Sequence, residues 1–200
     1  MGQVTRQRTT LSPGQAMGAL ILGGCPATAV RMVAAQSAVE TFAWKSMFNW
    51  NMGNVTPSQQ QVNAGISWIT YPNIRNMRYV AYSSPIGGAQ AMVGWLSAHG
   101  ALSYASSGDL NGYMGRLQAA CYLGCVGNVD PSTGQPVGST EYANYRAGIA
   151  GYMQKFANVV PVPPPIPLTT FDKVLVGGAA LTVAGAAVAF WKPEYLTGWV

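Results

Sequence analysis

Ala34-Ala35-Gln36-Ser37-Ala38-Val39-Glu40-Thr41 is an apolar, helix-compatible run that ends in a carboxylate, and Glu40 is the only acid in the first 108 positions. Phe42, Trp44, Phe48 and Trp50 follow at once. Burial among such residues penalises the ionised form, so the carboxyl is expected to hold its proton to higher pH than an exposed glutamate. That makes Glu40 a candidate general acid. On a helix it shares a side with Gln36, Ser37, Ala43 and Trp44, which sets hydrogen-bonding groups beside an aromatic wall. The competing structural readings are an ion pair with Arg31 or Lys45, or an exposed acid at a helix end.

Outward from this run, the head of the chain, residues 1–158, has a mainly α pattern. Helices are expected over 13–24, 27–47, 86–99, 109–123 and 139–157, the first opened by Ser12-Pro13-Gly14 as cap and first turn. Residues 49–82 interrupt the helical period. Asn49-Trp50-Asn51-Met52-Gly53-Asn54 is turn chemistry, and Trp68-Ile69-Thr70-Tyr71 and Arg78-Tyr79-Val80-Ala81-Tyr82 are short β-like runs. The fold class is a helical domain carrying a small β-like lobe, with an appendage at the C-terminal end.

That appendage begins with Val160-Pro161-Val162-Pro163-Pro164-Pro165-Ile166-Pro167, within a proline-rich linker over 159–172. Prolines this dense exclude helix and interior strand, which predicts an extended spacer of about 3 Å per residue. Beyond it, Val174 to Trp191 is an uncharged run of eighteen residues bracketed by Lys173 and Lys192. As a helix it would reach roughly 27 Å, close to the hydrocarbon thickness of a bilayer. A single transmembrane helix over 173–192, followed by a short tail over 193–200, is the expectation; an Ala-rich helix docked on a protein partner is the alternative. The one lysine at each end leaves the orientation open.

Composition supports a surface that meets something other than water. Apolar residues make up 49% of the chain and charged ones only 8%, against roughly 25% charged in ordinary soluble domains. Eleven basic and six acidic residues give a net charge of +5. The basic residues form no block or basic helix, so nucleic acid is not expected as a partner and an anionic wall or lipid fits better. A single histidine, His99, argues against a Cys/His zinc site; no metal or cofactor is expected, and His99 reads as a packed or capping residue. Cys25, Cys121 and Cys125 leave an odd cysteine whatever pairs, and buried thiols are expected ahead of a Cys121–Cys125 bridge, which one helix would strain. The apolar run 17–24 before Cys25 is too short for a signal segment, so an uncleaved N-terminus is expected.

Gln36-Ser37-Ala38-Val39-Glu40-Thr41, followed by Phe48-Asn49-Trp50-Asn51-Met52-Gly53-Asn54-Val55-Thr56, resembles the glucosaminidase-type branch of the lysozyme-like superfamily. In that branch an Ala-Gln-x-x-x-Glu helix bears the acid and an Asn-x-x-Gly-Asn-Ile-Thr-like stretch opens the substrate lobe. Tyr79-Val80-Ala81-Tyr82-Ser83-Ser84-Pro85 resembles the return from that lobe, and Tyr122 and Glu141-Tyr142-Ala143 resemble later elements that frame the cleft. The order and spacing of these motifs agree over most of residues 12–157. The resemblance implies cleavage of the glycan strands of peptidoglycan, with Glu40 protonating the glycosidic oxygen. Gln36, Asn49, Asn54, Thr56, Tyr82, Tyr122 and Tyr142 are the implied substrate-binding residues. Trp50, Tyr71, Tyr79 and Trp95 are further candidates for stacking on sugars, against the reading that most of them pack inward.

Glycosidases of the usual kind set a second carboxylate roughly 5 to 9.5 Å from the acid. Residues 41–108 contain none. Asp109 reads as a helix cap, Asp130 lies in a Pro/Gly loop and Glu141 belongs to the first turn of the last helix. A single-acid route is therefore expected, either that of a lytic transglycosylase, in which the substrate's own hydroxyl closes an anhydro ring, or one in which the substrate N-acetyl group participates. A membrane-anchored enzyme of this kind suits the internal membrane of a bacteriophage particle, among other virion membrane or capsid proteins, where it would assist genome entry. A bacterial inner-membrane enzyme facing the periplasm is the alternative location. The rival from another class is a non-catalytic structural or wall-binding virion protein on the same scaffold.

Overall fold

Small and apolar residues occupy almost the whole circumference of the helix over Ala27–Glu40, from Ala29 through Ala38. Such a helix is stable only when other elements cover it on every side. A computed structural model shows this arrangement and describes residues 2–71, 77–124, 127 and 138–165. The chain divides into Met1–Pro165 and Ile166–Val200, and the described residues all belong to the first unit.

In chain order the elements are β1 (Arg8–Thr9), α1 (Pro13–Leu22), α2 (Ala27–Glu40), β2 (Met47–Phe48), α3 (Gln59–Asn63), β3 (Trp68–Tyr71), β4 (Met77–Val80), α4 (Pro85–Ala98), α5 (Ala101–Ser107), α6 (Leu110–Ala119) and α7 (Ser139–Lys155). α2 is the central post, packed by α1, α5 and α7, while α4 closes on α1 and α6 on α5. The core between them holds Met17, Leu20, Met32, Val33, Leu96, Leu117 and Ile149. The mainly helical class with small strand pairs is thus present among the described residues. β3 and β4 form an antiparallel hairpin with Ile69 opposite Tyr79, and β1 pairs antiparallel with β2. The N-terminal arm extends the hairpin: Val4 N donates to Trp68 O at 2.8 Å and Trp68 N to Gly2 O at 3.2 Å.

The helix expected over 27–47 stops at Glu40. Phe42, Ala43 and Trp44 take φ of 50°, 52° and 61°, a left-handed path that costs about 1–2 kcal/mol per residue. Side chains hold it there. Thr41 Oγ1 donates to Ser37 O at 2.6 Å and accepts from Trp44 N at 3.0 Å; Trp44 Nε1 donates to Ser37 Oγ at 2.9 Å, and Ser37 Oγ donates to Met52 O at 2.7 Å. Trp44 is thereby driven into the core, stacked on Phe156, and is not the aromatic wall expected beside Glu40. α3 and α5, both short, are further elements that the sequence pattern does not announce.

Two other expectations meet a different structure. Cys121 is disulfide-bonded, not a thiol; it lies beyond the end of α6 with φ of 53°, so the strain of a bridge within one helix does not arise. Cys125 lies outside the described residues. Cys25 is a free, buried thiol, its pKa pushed up to about 12 by burial. The proline-rich segment is not a free spacer over its first residues. Val162 N donates to Gly14 O at 2.9 Å, and a Cβ on Gly18 would stand 1.9 Å from Val162 O, so residues 160–163 lie as a strap in a groove that Gly14 and Gly18 open on α1. The transmembrane helix expected over 173–192 lies outside the described residues, and no helix among those described is long and apolar enough to cross a membrane.

Candidate active site

α2 delivers Glu40 as its last residue, at the end where the helix macrodipole disfavours an anion. Its carboxyl is half-buried in the wall of a cavity of about 440 Å³. Oε1 accepts a hydrogen bond of 2.5 Å from the Tyr145 hydroxyl on α7, and Oε2 accepts one of 3.1 Å from Asn54 Nδ2. The same Asn54 nitrogen donates to Glu40 O at 2.6 Å. Asn54 reaches under the helix end because it adopts φ of 48°, a left-handed conformation that asparagine tolerates better than most residues.

Burial raises the Glu40 pKa above the ordinary carboxylate value, and this outweighs the opposing hydrogen bonds from Tyr145 and Asn54. The acid is neither paired with Arg31, which donates to Ala157 O, nor with Lys45, whose ammonium lies over the Phe42 ring. Behind it stand Tyr113, Tyr122 and Tyr145, all with hydroxyls held well above their usual pKa, first by burial and then by the nearby Glu40 charge and neighbouring groups. Tyr113 donates to Gln36 Oε1, while Gln36 Nε2 is buried with no acceptor in hydrogen-bond geometry. A buried donor left unmatched costs about 1–3 kcal/mol, and with Gln36 0% exposed the amide meets an incoming acceptor only if the cavity wall opens. Tyr122 donates to Gly53 O at 2.7 Å, fixing the turn that carries Asn54.

Gln36, Glu40, Asn54, Thr56 and Tyr122 therefore share one cavity, together with Trp95, Ser58 and Cys121. Among the described residues that line it, Glu40 is the one carboxylate. Asn49 and Tyr82 are not in it. With Trp50 they line a second groove of about 770 Å³, and Gln61 of α3 borders both spaces. The Asn49 amide is also spent on the N-terminal arm: Nδ2 donates to Thr5 O at 3.2 Å and Oδ1 accepts from Gln7 N at 2.8 Å. Tyr142 is buried away from the cavity and donates to Gly124 O. Tyr71 and Tyr79 pack edge to face on the hairpin. Tyr145, three residues beyond Tyr142, is the contact that sequence reading missed.

The remaining acids among the described residues act locally. Asp109 caps α6 through Gly112 N, and Glu141 closes onto Gly138 N at the start of α7. His99 stacks on Trp95 at 4.0 Å and sits at the C-terminal end of α4. Among the described residues no group of His, Cys, Asp and Glu could hold a metal. Comparison with family models, curated proteins and solved structures yields no match to this chain.

Proposed function

We propose that this protein cleaves the glycan strands of peptidoglycan, with Glu40 as the single acid and base. The observation that carries the reading is the Glu40 carboxyl itself: it lines an open cavity, burial favours its protonated form, and Tyr145 and Asn54 fix both of its oxygens. A protonated carboxyl in that position donates to the oxygen of a scissile glycosidic bond, which breaks as the oxygen takes the proton. The carboxylate left behind accepts the proton of the next nucleophile. In the transglycosylase route that nucleophile is a hydroxyl of the substrate sugar, whose oxygen closes the anhydro ring; in the alternative, the N-acetyl oxygen attacks first and water completes the step. Tyr145 serves either stage, because its hydroxyl donates to Oε1 both when the other oxygen carries the proton for the leaving group and when the carboxylate is ionised. Gln36 Nε2, Asn54 and Thr56 are the polar contacts proposed for the acetamido-bearing sugars.

The test is release of soluble muropeptides from purified sacculi by the wild type and by Glu40→Gln. General acid–base catalysis contributes about 10²–10⁴-fold, so the variant should release less by that factor. Equal release by both proteins, or release by neither, overturns catalysis by Glu40. No release, together with tight sacculus binding by both, is the outcome for a structural or wall-binding protein. Mass spectrometry of the products separates anhydro ends from reducing ends. An anchor over 173–192, a lipid bilayer as partner and a place in a virion or bacterial inner membrane belong to the same proposal. Carbonate extraction of membranes carrying the full chain, against a chain ending at residue 165, tests the anchor.

A further inference from the structure

We propose that the Arg6–Arg8 face of the N-terminal arm binds an anionic glycan, one bearing carboxylate or phosphate groups, at a place separate from the Glu40 cavity. Residues two apart on an extended strand project to one side. Arg6 and Arg8 do so, and both are exposed. The Arg6 guanidinium lies 5.0 Å from the Phe48 ring centre and 5.1 Å from that of Tyr71, and the Arg8 guanidinium lies 5.8 Å from Phe48. Phe48 and Tyr71 brace each other edge to face at 5.2 Å. A guanidinium held beside a ring keeps N–H groups for a bidentate bond to a carboxylate or phosphate, and less ordering is left to the moment the anion arrives.

The arm that carries the pair is itself fixed. β1 pairs with β2, Asn49 bonds Thr5 O and Gln7 N, Asn49 N donates to Gln7 O at 2.9 Å, and Val4 N is held by Trp68 O. Gln7, between the arginines, faces the second groove instead. Among the described residues no carboxylate compensates the pair. Glu40 is bonded to Tyr145 and Asn54, while Asp109 and Glu141 are taken up by their own helix starts.

A glycan fits this face better than a bilayer or a single-stranded nucleic acid. Two basic side chains give only about 1 kcal/mol each toward an anionic membrane, and the rings that could stack on bases are already covered by the guanidiniums. Two forks about 7 Å apart along the arm suit discrete anionic groups spaced along a polymer. The choice of a glycan rests on the proposed action on wall polymer; the anion site rests on the arginines alone.

Binding of fluorescent polygalacturonate, a uniformly carboxylated glycan, to the full chain tests it, with fluorescent dextran as the neutral comparison. The measurement is made in a Glu40→Gln background, so that loss of catalysis and loss of binding remain distinct results. Polygalacturonate should bind at low ionic strength and be released at about 0.5 M salt, where charge attraction is screened. Each charged hydrogen-bonding group is worth roughly tenfold, so Arg6→Gln with Arg8→Gln should weaken binding at least tenfold. Arg6→Lys with Arg8→Lys, which keeps the charge and loses the fork, should fall between. Arg116→Gln is the control, because Arg116 also lies over a ring, at 5.5 Å from Tyr104, but stands on α6 and not on the arm. Unchanged binding by the double glutamine variant, equal weakening by Arg116→Gln, equal binding of dextran, or tighter arginine-dependent binding of single-stranded DNA or anionic vesicles would each overturn the proposal.

Discussion

Glu40 is poised by opposing influences, and single substitutions should move it in defined directions. Tyr145→Phe keeps the ring and removes a hydroxyl that favours the carboxylate. The Glu40 pKa should therefore rise further, and the alkaline fall of kcat/KM should move to higher pH, as read from a pH–rate profile of glycan cleavage. Asn54→Ala removes the donor to both Glu40 Oε2 and Glu40 O. Leaving a half-buried carbonyl and carboxyl without that partner should cost about 1 kcal/mol, seen as a lower midpoint in denaturant unfolding. At this scale Glu40 was legible from its isolation in the sequence and from the apolar run before it. Its partner Tyr145 was not, because a contact across 105 positions leaves no local pattern.

Between elements, two glycines show how closely backbones approach. Gly18 on α1 admits the strap at residues 160–163, and Gly88 on α4 admits the turn after β2, where an added Cβ would stand 1.8 Å from Trp50 O. Gly18→Ala should expel the strap from its groove, since the obstructing atom is backbone and cannot rotate away. The expected cost is about 1–3 kcal/mol, together with faster proteolysis around residues 158–163; unchanged cleavage there would show that the strap does not depend on the groove. The helix starts at Ser12 and Asp109 were legible because capping chemistry is local, and each of these side chains does bond its own helix. The end of α2 was not, because nothing in Phe42-Ala43-Trp44 marks a left-handed turn. That turn forms because Ser37, Thr41 and Met52 take up its polar groups and the core takes the Trp44 ring.

Across the whole molecule, a carboxyl whose folded pKa is raised couples protonation to folding. Between its unfolded value, near 4.5, and its higher folded value, the native state binds more protons than the unfolded chain. Stability from this group is then fully present below the unfolded pKa and declines as pH rises through the folded one. Glu40→Gln should flatten that decline in a series of unfolding midpoints measured from acid to neutral pH; a wild-type curve parallel to that of the variant would refute the raised pKa. What the sequence determined by itself was the set of locally encoded features: the helix periods, the caps, the β-like hairpin runs, and a lone acid at the end of an apolar run. Tertiary structure alone decided which groups meet that acid, that Trp44 turns into the core while Tyr145 reaches Glu40 from behind, that Asn49 serves the N-terminal arm, and that the first prolines lie on α1. The physical reason is range. Propensity and capping act within a few residues, whereas burial and hydrogen-bond matching are settled only when segments far apart in the chain compete for the same space.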